Sequence, residues 1–170
     1  MHAVLERAPL GRPLDPADAQ AAQRAAAERV DPAAVTAAAA AALVSPAALA
    51  AARASRSWRE AFVAAELEGV VVEGFVDLLW EDSAGLHVAD WKTDRVASPQ
   101  ERRAKAGRYA LQLATYAVAL EHVAGRPVVG LALVFCGSGE ATQEVVVGAA
   151  LDDAKAAVRR RLAAVAVPTS

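Results

Sequence analysis

The hydropathy pattern of this chain changes period near Ser57, and that change decides what the chain can fold into. Before it, Ala, Leu, Glu and Arg dominate, residue types that favour helix, and Pro9, Pro13, Pro16, Pro32 and Pro46 cut the stretch into pieces. Asp15-Pro16, Asp31-Pro32 and Ser45-Pro46 each set a capping residue before a proline suited to the first helical turn, which predicts three helix starts. After Ser57, Phe62–Glu68, Val70–Trp80 and Leu86–Asp90 read as strands of a meander, with a polar turn over residues 81–85. From Pro99 the period is helical again, Tyr109, Leu113, Tyr116 and Leu120 recurring at three- and four-residue spacing until Gly125 and Pro127 end it. Val128–Cys136 and Thr142–Val147 then read as strands, Leu151–Val165 as a closing helix and Val167–Ser170 as a loose tail.

A chain of 170 residues is long enough for one domain with its own core and leaves little room for a second. Its 55% hydrophobic content is inflated by alanine, while aromatics make up 5%, so Val, Leu and a few large rings must supply the buried area and modest stability is expected. With 18 basic and 20 acidic side chains the net charge is -2, which argues against coating nucleic acid through the whole surface and leaves room for a local basic patch. Cys136 is the sole cysteine, excluding an internal disulfide framework, a four-cysteine zinc site and an all-cysteine iron–sulfur cluster within the chain. No stretch joins strong hydrophobicity to the roughly 20 residues of a membrane span. Residues 1–6 do not read as a secretory signal, so a cytoplasmic protein is the expectation.

Chemistry concentrates in the meander. Asp77 stands inside the apolar run Gly74-Phe75-Val76-Asp77-Leu78-Leu79, where an ionised carboxylate requires a metal, a cation or strong hydrogen bonds. The next strand carries Asp90-Trp91-Lys92, and a period of two places Asp90 and Lys92 on one face and Trp91 on the other. If the two strands pair, Asp77 and Asp90 can bracket Mg²⁺ or Mn²⁺ with Lys92 beside the substrate, a set suited to phosphodiester hydrolysis. The plain alternatives are a solvent-facing Asp77 and a surface Asp90–Lys92 ion pair.

Glycine, aspartate and a turn, then Asp90-Trp91-Lys92-Thr93-Asp94 and Gln112-Leu113-Ala114-Thr115-Tyr116, together resemble the RecB-like branch of the PD-(D/E)XK nuclease superfamily, as found in the C-terminal nuclease domains of helicase–nucleases. The resemblance implies a restriction-endonuclease-like α/β core with a mixed central sheet flanked by helices. It implies Asp77 and Asp90 as metal-binding carboxylates, the Trp91 carbonyl as a further ligand, Lys92 as the catalytic lysine, and Gln112 and Tyr116 as residues bordering the site. His2, in His2-Ala3-Val4-Leu5-Glu6, resembles the metal-binding histidine at the end of the family's first helix, and Glu60 the glutamate before its first core strand. Glu60 could equally pair with Arg56, and Asp94 is an accessory candidate that orients Lys92 or opens the next loop. The implied organisation is a helical N-terminal region of residues 1–56 packed on a core of residues 57–166, followed by the tail of 167–170.

Positive charge follows the DWK motif: Arg95, Arg102, Arg103, Lys105 and Arg108 outnumber the local acids and are candidates for phosphate contacts that bind DNA without reading sequence. Residues 137–140 lack the Lys-Ser/Thr ending of an ATP-binding loop, so no motor is encoded here. The leading expectation is a metal-dependent DNA nuclease module, an exonuclease working with a superfamily 1 helicase in double-strand-break repair or recombination. The alternatives are a nuclease-fold module of weak or no activity that serves DNA binding or assembly, and a generic α/β interaction domain. The Ala-rich segment Asp31–Ala54 is expected to offer a surface to a missing domain.

Overall fold

The computed structural model describes residues 1–26 and 31–166. The elements run α1 (His2–Leu5), α2 (Pro16–Ala26), α3 (Pro32–Leu43), α4 (Pro46–Arg53), β1 (Arg56–Leu67), β2 (Val70–Glu81), β3 (Leu86–Lys92), α5 (Pro99–Ala124), β4 (Val128–Phe135), β5 (Thr142–Val147) and α6 (Gly148–Ala166). The three Pro-marked helix starts are present, with Asp31 Oδ1 accepting from Ala33 N–H at 3.0 Å and Ser45 Oγ from Ala48 N–H at 3.2 Å. Three boundaries differ from expectation by two residues or more, α6 opening at Gly148 rather than Leu151. β1 begins at Arg56, six residues earlier than Phe62, because Arg56, Ser57, Trp58 and Arg59 pair with Glu81, Trp80, Leu79 and Leu78 of β2. β3 runs through Lys92, so the whole Asp-Trp-Lys motif lies on strand.

The strands form one mixed sheet in the order β1-β2-β3-β4-β5, antiparallel except for the parallel β3–β4 pair. A parallel pair needs a crossover, which α5 supplies. Its N-terminus is closed by Ser98 Oγ accepting from Glu101 N–H at 3.1 Å and by Glu101 Oε2 accepting from Ala97 N–H at 2.8 Å, and its C-terminus by Gly125 at φ 63°. The β1–β2 turn is Glu68-Gly69, both at positive φ, as a two-residue hairpin loop demands.

Each sheet face carries its own core. On one side α5 and α6 pack Leu113, Ala117, Leu151 and Val158 against Val63, Val88, Leu131 and Phe135. On the other, Val4 and Leu5 of α1 and the alanines of α3 and α4 cover Leu78, Trp80, Trp91 and Val134. The Ala-rich segment is therefore spent on this chain's own sheet. Ala39, Ala42 and Ala48 are fully buried, since a methyl group lets a helix approach the sheet where a longer side chain would hold it off; this corrects the expectation that the segment as a whole awaits a missing domain. Among the described residues no single helix is long and apolar enough to cross a membrane. Cys136 lies in the second core, where burial pushes its thiol up to about 12; it is packing rather than a nucleophile.

Candidate active site

A break in strand alternation builds the site. Val63, Ala65 and Leu67 of β1 point into the α5–α6 core, yet Arg59, of the same parity, points the other way, its guanidinium donating to the carbonyls of Leu5 (2.9 Å) and Ala8. On β2, Val76 belongs to the α5–α6 core whereas Leu78 and Trp80 belong to the other. Both strands thus shift face at one level, between the pairs Ala61↔Val76 and Arg59↔Leu78, which bracket Glu60 and Asp77. Glu60 sits there at φ 47°, a left-handed backbone that costs a non-glycine residue of order 1 kcal/mol. Asp77 lies within the shift, between Val76 on the α5 side and Leu78 on the other, and its carboxylate reaches across to β3.

The neighbouring strand completes the arrangement. The β2–β3 ladder runs inward to Leu78↔Ala89. There the Asp77 side chain takes over, Oδ2 accepting from Trp91 N–H at 2.7 Å, a charge-assisted bond that offsets the cost of a carboxylate only 8% exposed. Leu86 and Val88 face α5, so period two puts Asp90 and Lys92 on that face too, while Trp91 is buried in the opposite core. Asp90 is 6% exposed and its Oδ2 lies 2.7 Å from Lys92 Nζ, so the pair is an interior one rather than the surface pair of the plain alternative.

Helix α5 roofs these groups. Tyr109, Gln112 and Tyr116 recur on one face at three- and four-residue spacing. Gln112 Nε2 donates to Tyr116 Oη at 3.3 Å, and the Tyr116 ring lies over Gly74, where an added Cβ would stand 2.7 Å from Cε1 and Oη. That close approach explains the glycine of the Gly74-to-Asp77 motif. Sequence marks Tyr109 only by its helical period, although its place one turn before Gln112 on the same face is a usable signal. Lys92 Nζ lies 4.1 Å from the Tyr109 ring centroid, and Tyr109 Oη donates to Asp94 Oδ2 at 3.0 Å. That hydrogen bond to the Asp94 carboxylate, with burial and charge adding to it, raises the Tyr109 phenol above its ordinary value of 10.0.

The remaining candidates separate. The backbone of His2 begins α1, and its side chain lies outside the described residues. Lys105 is engaged with Glu101 at 3.1 Å, with Asp94 Oδ1 at 3.7 Å and with the Arg95 carbonyl; Arg102 is held by Glu144 of β5 at 2.9 Å. Arg95 donates to the Gly137 carbonyl at 3.2 Å, and Arg103 and Arg108 are exposed. Arg108 falls on the stripe of Lys105 and Gln112, whereas Arg103, nine residues before Gln112 at about 100° per residue, lies half a turn around the helix.

Asp77 and Asp90 are buried oxygen donors of the kind a hard divalent cation takes, and they fit such an ion in type. Among the described residues, no three of His, Cys, Asp and Glu converge to hold a metal.

The family model of the PD-(D/E)XK nuclease superfamily matches residues 1–169. The chain is 42% identical over 83 residues to an ATP-dependent helicase/nuclease subunit of Anoxybacillus flavithermus, a match covering 45% of this chain and 7% of that protein. It is 44% identical over 78 residues to the protein of the same name from Desulforudis audaxviator, covering 45% of this chain and 6% of the relative. The chain thus matches less than a tenth of the length of these relatives, and by fold, motif and match along nearly its full length it belongs to the PD-(D/E)XK nuclease superfamily, in the RecB-like branch.

Proposed function

We propose that this chain is a divalent-metal-dependent nuclease module that hydrolyses DNA phosphodiesters, an exonuclease acting with a superfamily 1 helicase in double-strand-break repair or recombination in the cytoplasm. The observation that carries the reading is the Asp90–Lys92 contact of 2.7 Å, with the buried Asp77 carboxylate bound to the Trp91 N–H between those two residues. The helicase association rests on the names of the two relatives.

Asp77 and Asp90, with the Trp91 carbonyl and His2 as further candidates, would hold Mg²⁺ or Mn²⁺. When bound, such an ion lowers the pKa of water and offsets charge growing on the phosphodiester. Lys92, held by Asp90 on one side and by the Tyr109 ring on another, presents its remaining donors to a phosphate oxygen or to the attacking water. Gln112 and Tyr116 border the same space and would position the strand, and Glu60, at the level of Asp77, is an accessory acid.

The test is cleavage of linear and circular, single- and double-stranded DNA with Mg²⁺ or Mn²⁺ by the intact chain, alongside Asp90→Ala and Lys92→Ala proteins with unchanged circular dichroism. Cleavage lost by about 10²-fold or more in both variants is expected, the size of a removed electrostatic or acid–base group. DNA binding without cleavage by any form, alone or joined to a helicase partner, would favour the alternative of a weakly active or inactive module used for binding and assembly.

A further inference from the structure

The sequence sets two carboxylates at equal distance from Lys92. Asp90 precedes it by two residues and Asp94 follows it by two, so both are candidates for its ammonium. The structure resolves the competition in favour of Asp90: Lys92 Nζ lies 2.7 Å from Asp90 Oδ2, while Asp94 spends Oδ2 on the Tyr109 hydroxyl at 3.0 Å and turns Oδ1 to Lys105 at 3.7 Å. One side chain does both jobs. The Tyr109 hydroxyl engages the competing acid, and its ring closes the adjoining side of the ammonium at 4.1 Å. We propose that Tyr109 is a positioning residue that assigns Lys92 to Asp90 by withdrawing Asp94 and walling the ammonium with its ring. Its bearing on cleavage rests on the nuclease reading above; its bearing on the Lys92 contact does not.

With Leu at position 109 the ring and the hydroxyl are both gone, Asp94 regains an open oxygen, and Lys92 divides between two carboxylates. With Phe the wall stays and only the lock on Asp94 is lost. The experiment compares the intact chain with Tyr109→Phe, Tyr109→Leu and the double variant Tyr109→Leu/Asp94→Asn by two readouts. The first is the NMR shift of the Lys92 ε-methylene, which a ring face displaces upfield, together with its contacts to the Asp90 and Asp94 methylenes. The expected result is an upfield position in wild type and Tyr109→Phe, loss of that shift with new Asp94 contacts in Tyr109→Leu, and return of the Asp90 contact alone in the double variant. The second is cleavage, where Tyr109→Leu is expected to lower kcat by roughly tenfold with KM and Tm little changed, and the double variant to recover most of it, because a neutral amide in place of the Asp94 carboxylate no longer attracts the ammonium. A merely structural tyrosine predicts a loss that Asp94→Asn cannot repair.

Wild-type kcat in Tyr109→Leu, or no recovery in the double variant, overturns the proposal. If the wild-type chain cleaves nothing, alone or joined to a helicase partner, the nuclease reading falls, and the shifts then decide alone: an unmoved Lys92 ε-methylene in Tyr109→Leu overturns the positioning role, and the expected displacement and return uphold it.

Discussion

Gly137 carries no chemistry, yet the loop that follows Lys92 rests on it. A Cβ built at this position would stand 2.1 Å from the Thr93 carbonyl oxygen and 2.7 Å from the Asp94 carbonyl carbon, both backbone atoms with nowhere to retreat. Cys136 N–H donates to the Lys92 carbonyl at 2.9 Å and Arg95 to the Gly137 carbonyl at 3.2 Å, so the two loops are bound along their length. Gly137→Ala should therefore cost about 1–3 kcal/mol, the range of overpacking, and reduce cleavage by displacing Asp94 from Tyr109. Gly107, in an exposed turn of α5 with nothing within 4 Å of an added Cβ, is the matched control. There alanine should stabilise by roughly 0.5–1 kcal/mol. Urea unfolding of the two variants checks both signs; equal effects would mean that the loop contact bears no load. At this scale the sequence was legible where a residue type is chemically out of place, as a carboxylate within an apolar strand is. It was silent on Gly137, which reads only as a turn residue until the β3 loop is laid against it, and on Arg59, whose partners are carbonyls some fifty residues away in sequence.

Among the elements, the closing helix α6 is tied to the site's roof by charge as well as by apolar packing. Lys155, 8% exposed, reaches Glu121 Oε1 of α5 at 2.8 Å and the Val128 carbonyl at the start of β4 at 3.2 Å, while Arg159 takes Glu121 Oε2 at 2.8 Å. Glu121 Oε1 also accepts from Val128 N–H at 3.0 Å, so one carboxylate joins α5, α6 and β4. Glu121→Gln removes the nearer and less exposed of the two carboxylates on a mostly buried ammonium, Asp152 staying at 3.4 Å, and a loss of roughly 1–3 kcal/mol is expected, because the exposed Asp152 compensates the cation only in part. Replacing Glu121 and Lys155 together by Gln and Met should restore a good part of it, and chemical denaturation of single and double variants measures the difference. A double variant no better than the single would show that the shape of the contact matters more than its charge. Periodicity located the helices and strands because each buries one face, and the three proline-marked starts fell where capping chemistry predicts. It missed the face shift at Glu60 and Asp77, since an alternation rule presumes an unbroken pleat, and for the same reason it began the first strand at Phe62 rather than Arg56.

For the molecule as a whole, a net charge of -2 means that the DNA of the proposed reaction would be held by a local track rather than by the general field. Five basic side chains in the segment of Arg95 to Arg108 look equivalent in sequence, and the fold makes them unequal. Arg102 is committed to Glu144, and Lys105 to Glu101 and Asp94; Arg103 lies across the helix from Gln112, and Arg108 alone of the exposed helical pair shares the stripe that leads to Lys92. A phosphate contact releases counterions, so each one adds about 0.9 to the slope of log affinity against log salt on duplex DNA. Arg108→Ala should lower that slope by about 1 and weaken binding alike across sequences, whereas Arg103→Ala should leave it unchanged. Arg102→Ala should also leave the slope unchanged while lowering Tm, because its work is to hold α5 to β5. Anisotropy titrations of a labelled duplex from low to moderate salt, with Ca²⁺ in place of Mg²⁺ to suppress cleavage, separate the three. Equal slope changes at Arg103 and Arg108 would mean that DNA crosses α5 rather than following the face that carries Tyr109, Gln112 and Tyr116, and the strand would then have to reach Asp77 and Asp90 from the β5 side of the helix.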